Sequence, residues 1–309
     1  MGEVRADPVR RFVLTHGCSL SNAVLFVADD HDFFRREGVE VTLPLYRTMD
    51  TPETMIREGR SVLGTMSFLG PMTMNDLPDR PVVVCGSGSQ GVSLLVHPGI
   101  ANAAGLRGQR VGTFVNDPLQ LLLRDYCRAY QISGVTETYF STLDEAIACF
   151  QSGEIAGITI VEPYATRLCE SGAVELSDGT DVWGGEFPDT VFVSSESLLA
   201  EDPQAVYSAI RALRHAEMEL ARDPRAALER VVTQFPGYTV DELVTALAKT
   251  PVTTDIRHLE RWLVGRWDDA AVTLGSALPS RRSGAPICWE PLELVLASER
   301  GIDEREQCG

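Results

Sequence analysis

Cysteine and histidine are the side chains best suited to nucleophilic and proton-transfer work near neutral pH, and one of each stands two residues apart, His16 and Cys18, in Phe12-Val13-Leu14-Thr15-His16-Gly17-Cys18-Ser19. The apolar run before them reads as a strand, and a helix is expected to begin near Leu20. Ligands of open α/β sheets bind outside the carboxyl ends of the strands, where Cys18 falls. A following helix N-terminus would favour a thiolate, and His16, sharing its face on an extended backbone, could serve as base or cationic partner. On that reading Cys18 is a nucleophile whose thiolate forms below its ordinary range, and it is the first cysteine to be alkylated. The plainer alternative is a small buried cysteine in a turn beside a histidine bonded to the backbone.

Other polar residues fall at similar strand ends. Asn22 lies in the first helical turn; Thr65, Met66 and Ser67 close the strand that starts at Ser61; Thr113 lies near the end of Arg110–Val115. Asn116 and Asp117 precede Pro118, a pattern that starts a helix and makes simple capping the alternative to ligand contact. Ser141 precedes the helix Leu143–Gln151, and Glu162 and Tyr164 follow the strand Ile155–Val161. These residues are expected to line one cleft, with Cys18, Thr65, Asn116, Ser141 and Glu162 converging there. Glu162 reads as a base or ligand acceptor, or equally as a buried carboxylate paired with an arginine. No pair of candidate ligands has metal spacing, so neither metal nor cofactor is expected. Gly86-Ser87-Gly88-Ser89-Gln90-Gly91 spells G-x-G-x-x-G after a strand, but Val92–Val96 continues as β-branched, apolar chain; it reads as a turn or hinge rather than a dinucleotide loop.

Composition narrows the partners. With 27 Lys and Arg against 44 Asp and Glu, the formal net charge of −17 disfavours nucleic acid and anionic membranes and leaves a small ligand. Lys249 is the only lysine, which removes Schiff-base chemistry. The seven cysteines show no C-x-x-C pair, the N-terminal segment has no apolar signal or lipobox, and no stretch is long enough to span a bilayer; a cytoplasmic, reduced protein is expected.

Strands and helices alternate from Phe12 to about Ser194 and then give way to helices at Pro203–Arg222, Pro224–Phe235, Thr239–Ala248, Ile256–Leu274 and Glu290–Glu299, with a loop at Ser280–Ala285. The pattern suggests one α/β domain interrupted by another. Asp32-Phe33-Phe34-Arg35-Arg36-Glu37-Gly38-Val39, Gly105-Leu106-Arg107-Gly108-Gln109-Arg110-Val111-Gly112 and Gly153-Glu154-Ile155-Ala156-Gly157 with Glu162-Pro163-Tyr164 resemble, in order, the motifs of the sulfonate, nitrate and thiamine-pyrimidine group of solute-binding proteins. The resemblance covers about residues 10 to 240. It implies an α/β, two-lobed periplasmic-binding-protein-like fold of type II with a helical C-terminal tail and a ligand cleft between lobe 1, residues 1–88 with 192–309, and lobe 2, residues 89–191.

Leu14-Thr15-His16-Gly17-Cys18-Ser19-Leu20-Ser21-Asn22-Ala23 most resembles the hydroxybiphenyl sulfinate desulfinase branch, whose nucleophile aligns with Cys18. That branch also uses a histidine and an arginine after its second strand. Residues 44–70 here hold no histidine, and Arg47, Arg57 and Arg60 are displaced. Met66 and Gly70 replace the lysine and histidine of the pyrimidine synthases, excluding that activity. Two readings follow. The first is a cytoplasmic lyase or hydrolase, desulfinase-like, cleaving a C–S or C–C bond through Cys18 with His16. The second is a non-catalytic binding protein for a small organic anion or aromatic heterocycle, with a transport permease as partner only in this second case.

Overall fold

The computed structural model of the chain describes residues 10–46, 48–275 and 284–307. Arg47, Cys308 and the first four residues of the loop expected at Ser280–Ala285 lie outside the described residues.

Ten strands run in order: β1 Arg10–Thr15, β2 Val39–Thr42, β3 Leu63–Ser67, β4 Pro81–Ser89, β5 Val92–Val96, β6 Arg110–Thr113, β7 Thr136–Tyr139, β8 Gly157–Val161, β9 Val174–Ser177 and β10 Pro188–Ser195. They form two five-stranded sheets, β2-β1-β3-β10-β4 and β7-β6-β8-β5-β9. In the first, β1 pairs parallel with β2 and β3, while β10 runs antiparallel to β3 and β4. In the second, β6 pairs parallel with β7 and β8, and β5 is antiparallel to β8 and β9. The chain therefore crosses once at Gln90-Gly91 and returns between β9 and β10; Ser89 and Pro188–Val191, which the expected bounds assign to lobe 2, stand on strands of the first sheet and are grouped with the first lobe. Every residue of β4, β5, β8 and β10 is buried, which is why their sequences read as continuous apolar or small-residue runs without alternation. Helices interleave with both sheets, giving the two-lobed α/β fold expected.

The glycine-rich run differs from its expectation. Gly86, Ser87, Gly88 and Ser89 belong to β4 rather than to a turn. A Cβ on Gly88 would stand 2.5 Å from the Ser21 Cβ, so glycine here admits the turn that carries Ser19–Asn22 against the strand. Gly91 has φ +78 and makes the crossing. Its carbonyl accepts the Glu162 N–H at 2.8 Å, tying the crossing to the end of β8.

The single helix expected over Leu20–Arg36 is three pieces: a 3-10 turn at Leu20–Asn22, an α-helix at Ala23–Asp30 and a short helix at Phe33–Arg36. Asp32 takes a left-handed φ of 58 between the last two. Three aspartates within four residues favour local side-chain bonding and repel one another, so the break falls among them. Strand β9 carried no clear period-2 signal and was not expected.

Asp202 caps the helix Pro203–Arg222, whose apolar stripe of Val206, Ala209, Ile210 and Leu213 packs with Ala23–Asp30 in the core of the first lobe. The helix Glu260–Leu274 reaches the second lobe. Trp267 Nε1 donates to the Phe68 carbonyl at 2.7 Å, and Arg124 donates to the helix's last carbonyls, Thr273 and Leu274, at 3.0 and 2.8 Å. Among the described residues no helix is long and apolar enough to cross a membrane.

Replacing Gly88 with alanine should lower unfolding stability by about 1–3 kcal/mol, because Ser21 sits on a backbone that cannot retreat without moving the turn. Urea denaturation checks this, and unchanged stability would mean that the approach of Ser21 to β4 is looser than described.

Candidate ligand-binding site

The loops at the carboxyl ends of β1 and β3 meet the second lobe directly. Leu20 N–H donates to the Glu162 carbonyl at 2.8 Å, and Met49 N–H to the Ser141 carbonyl at 3.1 Å. Between these bridges lies a cavity of about 50 Å³. Cys18, Tyr46, Met49, Glu53, Met66, Ser67, Asp189 and Thr190 line it from the first lobe, and Val92, Asp117, Leu119 and Val161 from the second. It lies between two larger spaces. One, of about 610 Å³, is reached past Gly17, Cys18 and Tyr46 and bordered by His16, Phe26, Tyr164 and Tyr238. The other, of about 640 Å³, is reached past Met49, Glu53 and Asp117 and bordered by Asn116, Tyr139 and Ser141.

Local sequence explains how the carboxyls arrive. Thr51–Arg57 is a helix with Pro52 in its first turn, which places Glu53 at the end facing the cleft. Asp117 accepts the Leu119 N–H at 2.9 Å and has Pro118 behind it, the capping arrangement the sequence suggested; its carboxyl also borders the cavity. Asp189 sits near the start of β10 and accepts from Ser19 Oγ at 3.0 Å and Ser21 Oγ at 2.5 Å.

Electrostatically the cavity is one-sided. Among the described residues that line it there is no Arg, Lys or His. Burial pushes the Glu53 carboxyl up to about 7, with Asp50 adding to the rise and Arg57 and the Ser67 hydroxyl opposing it. It pushes Asp117 up to about 7, where Glu53 and Asp189 add their repulsion, and Asp189 up to about 6 against the serine bonds that lower it.

Cys18 is not the activated thiolate expected. Burial pushes its thiol up to about 12, with Asp117 and Asp189 disfavouring a further negative charge, although the Tyr46 hydroxyl beside it works the other way. The thiol faces Met49 Sδ at 3.8 Å. The residues after it form a 3-10 turn, and the α-helix starts only at Ala23, so no helix N-terminus acts on the sulfur. His16 is turned to the backbone. Its Nδ1 lies 2.9 Å from the Gly17 carbonyl and Nε2 2.8 Å from the Pro44 carbonyl, while Phe26 meets the ring edge-on at 5.1 Å.

The other expected site residues divide. Met66, Ser67 and Asp117 join Cys18 at the central cavity, while Tyr164, Asn116 and Ser141 border the outer spaces. Asn22 and Thr65 are buried and bonded to each other, and Thr113 is bonded to Thr159 Oγ1 at 2.9 Å. Glu162 does not join the expected convergence. Its Oε2 accepts the Thr166 N–H at 3.1 Å, and Oε1 lies 3.9 Å from Lys249 Nζ, away from all three spaces. Sequence reasoning passed over Tyr46, Met49, Glu53 and Asp189. Only Glu53 had a usable signal, as an acid just inside a Pro-started helix after a strand.

Two sheets linked by a double crossing, with a cavity where the strand ends of both lobes meet, define the two-lobed fold of solute-binding proteins. The NMT1/THI5-like family matches residues 20–227, and the chain belongs to it. No curated protein matches the chain. The fold is similar to that of the alkanesulfonate-binding protein SsuA from Xanthomonas axonopodis pv. citri, at 19% identity over 92% of this chain and 99% of that one, with a TM-score of 0.75. It is also similar to the periplasmic aliphatic sulphonate-binding protein SsuA from Escherichia coli, at 15% identity over 90% and 95% with a TM-score of 0.73. The periplasmic nitrate-binding protein NrtA from Synechocystis follows at 14% over 71% and 66%, with a TM-score of 0.58.

The expected cysteine lyase or hydrolase is thereby corrected. The three solved structures named above are described as binding proteins and not by a reaction. The thiol is buried and protonated, and its expected base is bonded elsewhere. The likeness to the desulfinase is confined to the short N-terminal run.

Two consequences are measurable. Iodoacetamide near neutral pH should label other cysteines ahead of Cys18, since a thiol held near 12 supplies almost no thiolate; peptide mapping that finds Cys18 labelled first contradicts this environment. A folded carboxyl held above its unfolded pKa stabilises the protein fully below that unfolded value, and the contribution is lost as pH rises through the folded one. For Glu53, Asp117 and Asp189 that window runs from the ordinary 3.8–4.5 to about 7. Glu53→Gln and Asp117→Asn should therefore raise the melting temperature of the ligand-free protein at pH 8 by about 2 °C or more, and by less at pH 5. Equal effects at both pH values in calorimetry would contradict the assignment.

Proposed function

We propose that the chain is a solute-binding protein whose lobes close on a small organic molecule seated at the cavity between Cys18, Tyr46, Glu53, Asp117 and Asp189. The observation that carries this reading is the position of the cavity, where residues of both sheets face one another. Two backbone bonds between lobes flank a space lined from both of them, as a binding cleft requires and an accidental packing defect does not. Family membership and the likeness to sulfonate- and nitrate-binding structures support it. In this reading the bodies that close are the two sheets with their helices, turning about Gln90-Gly91 and the β9–β10 connection. A permease of an ATP-driven import system is the partner that the transport proteins of this fold suggest. The thiol fills space and excludes water, and no bond is made or broken.

Chain purified under native conditions should release one small organic molecule per protein when denatured, detected by mass spectrometry of the filtrate. Met49→Trp, which fills the cavity from the first lobe, should abolish retention. Cys18→Ser should keep affinity within about tenfold, since it exchanges one small neutral group for another. A chain that carries no small molecule, and takes none up from cell extract, overturns the reading.

A further inference from the structure

The charge around the central cavity says which part of a ligand belongs in it. An anionic head is ordinarily met by arginine, backbone N–H groups or both, because a buried anion without such partners keeps its full desolvation cost. The described lining offers three carboxyls and no basic side chain. The nearby arginines of the outer spaces are engaged. Arg57 donates to the Thr73 carbonyl at 2.8 Å, and Arg167 stacks 3.4 Å over Tyr238 while pairing with Glu242.

A second observation is independent of the carboxyls. Thr190 is 6% exposed and lines the same cavity, yet its Oγ1 has no hydrogen-bond partner among the described residues. Buried hydroxyls are rarely left so, and the cavity that Thr190 lines is the adjoining space from which a partner can come. A metal ion is a poor occupant: among the described residues no three His, Cys, Asp or Glu stand close enough to hold one. An occupant that meets all three carboxyls has to be larger than a metal ion and to carry hydrogen-bond donors, of which a cationic N–H group also offsets their charge. Room is limited, because one water needs roughly 10–15 Å³ on this measure and the cavity holds about 50 Å³. That is the size of a polar head, with the rest of the molecule in an adjoining space.

We infer that the cavity seats a protonated amine or amidinium group of the ligand, held by Glu53, Asp117 and Asp189 with Thr190 as an added acceptor. Any anionic group that the ligand also carries lies outside this cavity, in one of the two flanking spaces. The inference rests on the reading of the cavity as the ligand seat and adds its charge selectivity.

The test is calorimetric titration of the full chain, freed of bound molecules, with two matched series at pH 7.5: benzylamine, benzamidine and butylamine against benzenesulfonate and butanesulfonate. At least one amine or amidine should bind with unit stoichiometry, and the sulfonate of the same skeleton at least about tenfold more weakly. Combining Glu53→Gln with Asp117→Asn should weaken the amine by at least about tenfold, the loss expected for charge-assisted bonds. That variant removes repulsion and is expected to fold, which circular dichroism checks. Thr190→Val, nearly the same shape, should weaken the amine further without lowering the melting temperature of the ligand-free chain. Sulfonates that bind while amines do not, or amine binding untouched by the double substitution, overturn the charge assignment and leave the cavity reading standing. Absence of binding in both series overturns the inference. If the natively purified chain also releases no small molecule, the cavity reading falls with it.

Discussion

Carboxyl groups withdrawn from water and facing one another are the constraint on which this site depends. Glu53 and Asp189 belong to the first lobe and Asp117 to the second, so the cluster exists only where the lobes meet. Glu53 and Asp189 raise the cost of ionising Asp117, and burial, with Asp117 and Asp189 adding to it, keeps the Cys18 thiol protonated. Closing the ligand-free lobes brings Asp117 toward two like charges, which opposes closure near neutral pH. A cation placed among them changes the sign of that term, so binding and closure are coupled by the same charges. If the lobes close on a cationic ligand as proposed, closure needs no relay of side chains; it follows from which lobe carries which carboxyl.

The backbone makes this cluster possible by close approach at the crossing between sheets. Gly88 lets the Ser19–Asn22 turn lie on β4, which sets Ser19 and Ser21 beside Asp189 on the neighbouring strand β10. Among the described residues those two hydroxyls are the only side chains bonded to the Asp189 carboxyl, and they compensate its burial without neutralising it. A basic residue at either serine would pair with Asp189 outright and take its charge out of the cavity. The small, neutral Ser-x-Ser of the turn is thus part of the charge pattern of the site, although neither serine has to touch a ligand.

Much of the fold was legible because its signals are local. Buried strands such as Val82-Val83-Val84 and Gly157–Val161 announce themselves, and Asp-Pro pairs mark the helices at Pro118 and Pro203 together with their capping groups. Cys18, Met66, Ser67 and Asp117 could be placed near the cleft because strand ends converge there in any sheet of this kind. What the sequence did not reveal was non-local. Asp189 finds Ser19 and Ser21 across nearly the whole chain, Tyr46 follows a strand too short to point to it, and Glu162 turns toward Lys249 from an element 87 residues on. The G-x-G-x-x-G run misled in the same way: local chemistry says turn, while tertiary contact with Ser21 accounts for a glycine inside a strand.

The same distinction explains why a cysteine next to a histidine failed as a catalytic pair. Spacing fixed only that the two side chains start near each other; whether a thiol ionises depends on what surrounds it in space. His16 is taken up by the Gly17 and Pro44 carbonyls, and acids rather than bases approach the sulfur from the far side. In such a field a thiolate is the least favourable species the cavity could contain, and a positive charge the most favourable. The likeness in fold to sulfonate-binding proteins concerns the course of the backbone, and it is the side chains lining the cavity that decide what a site accepts.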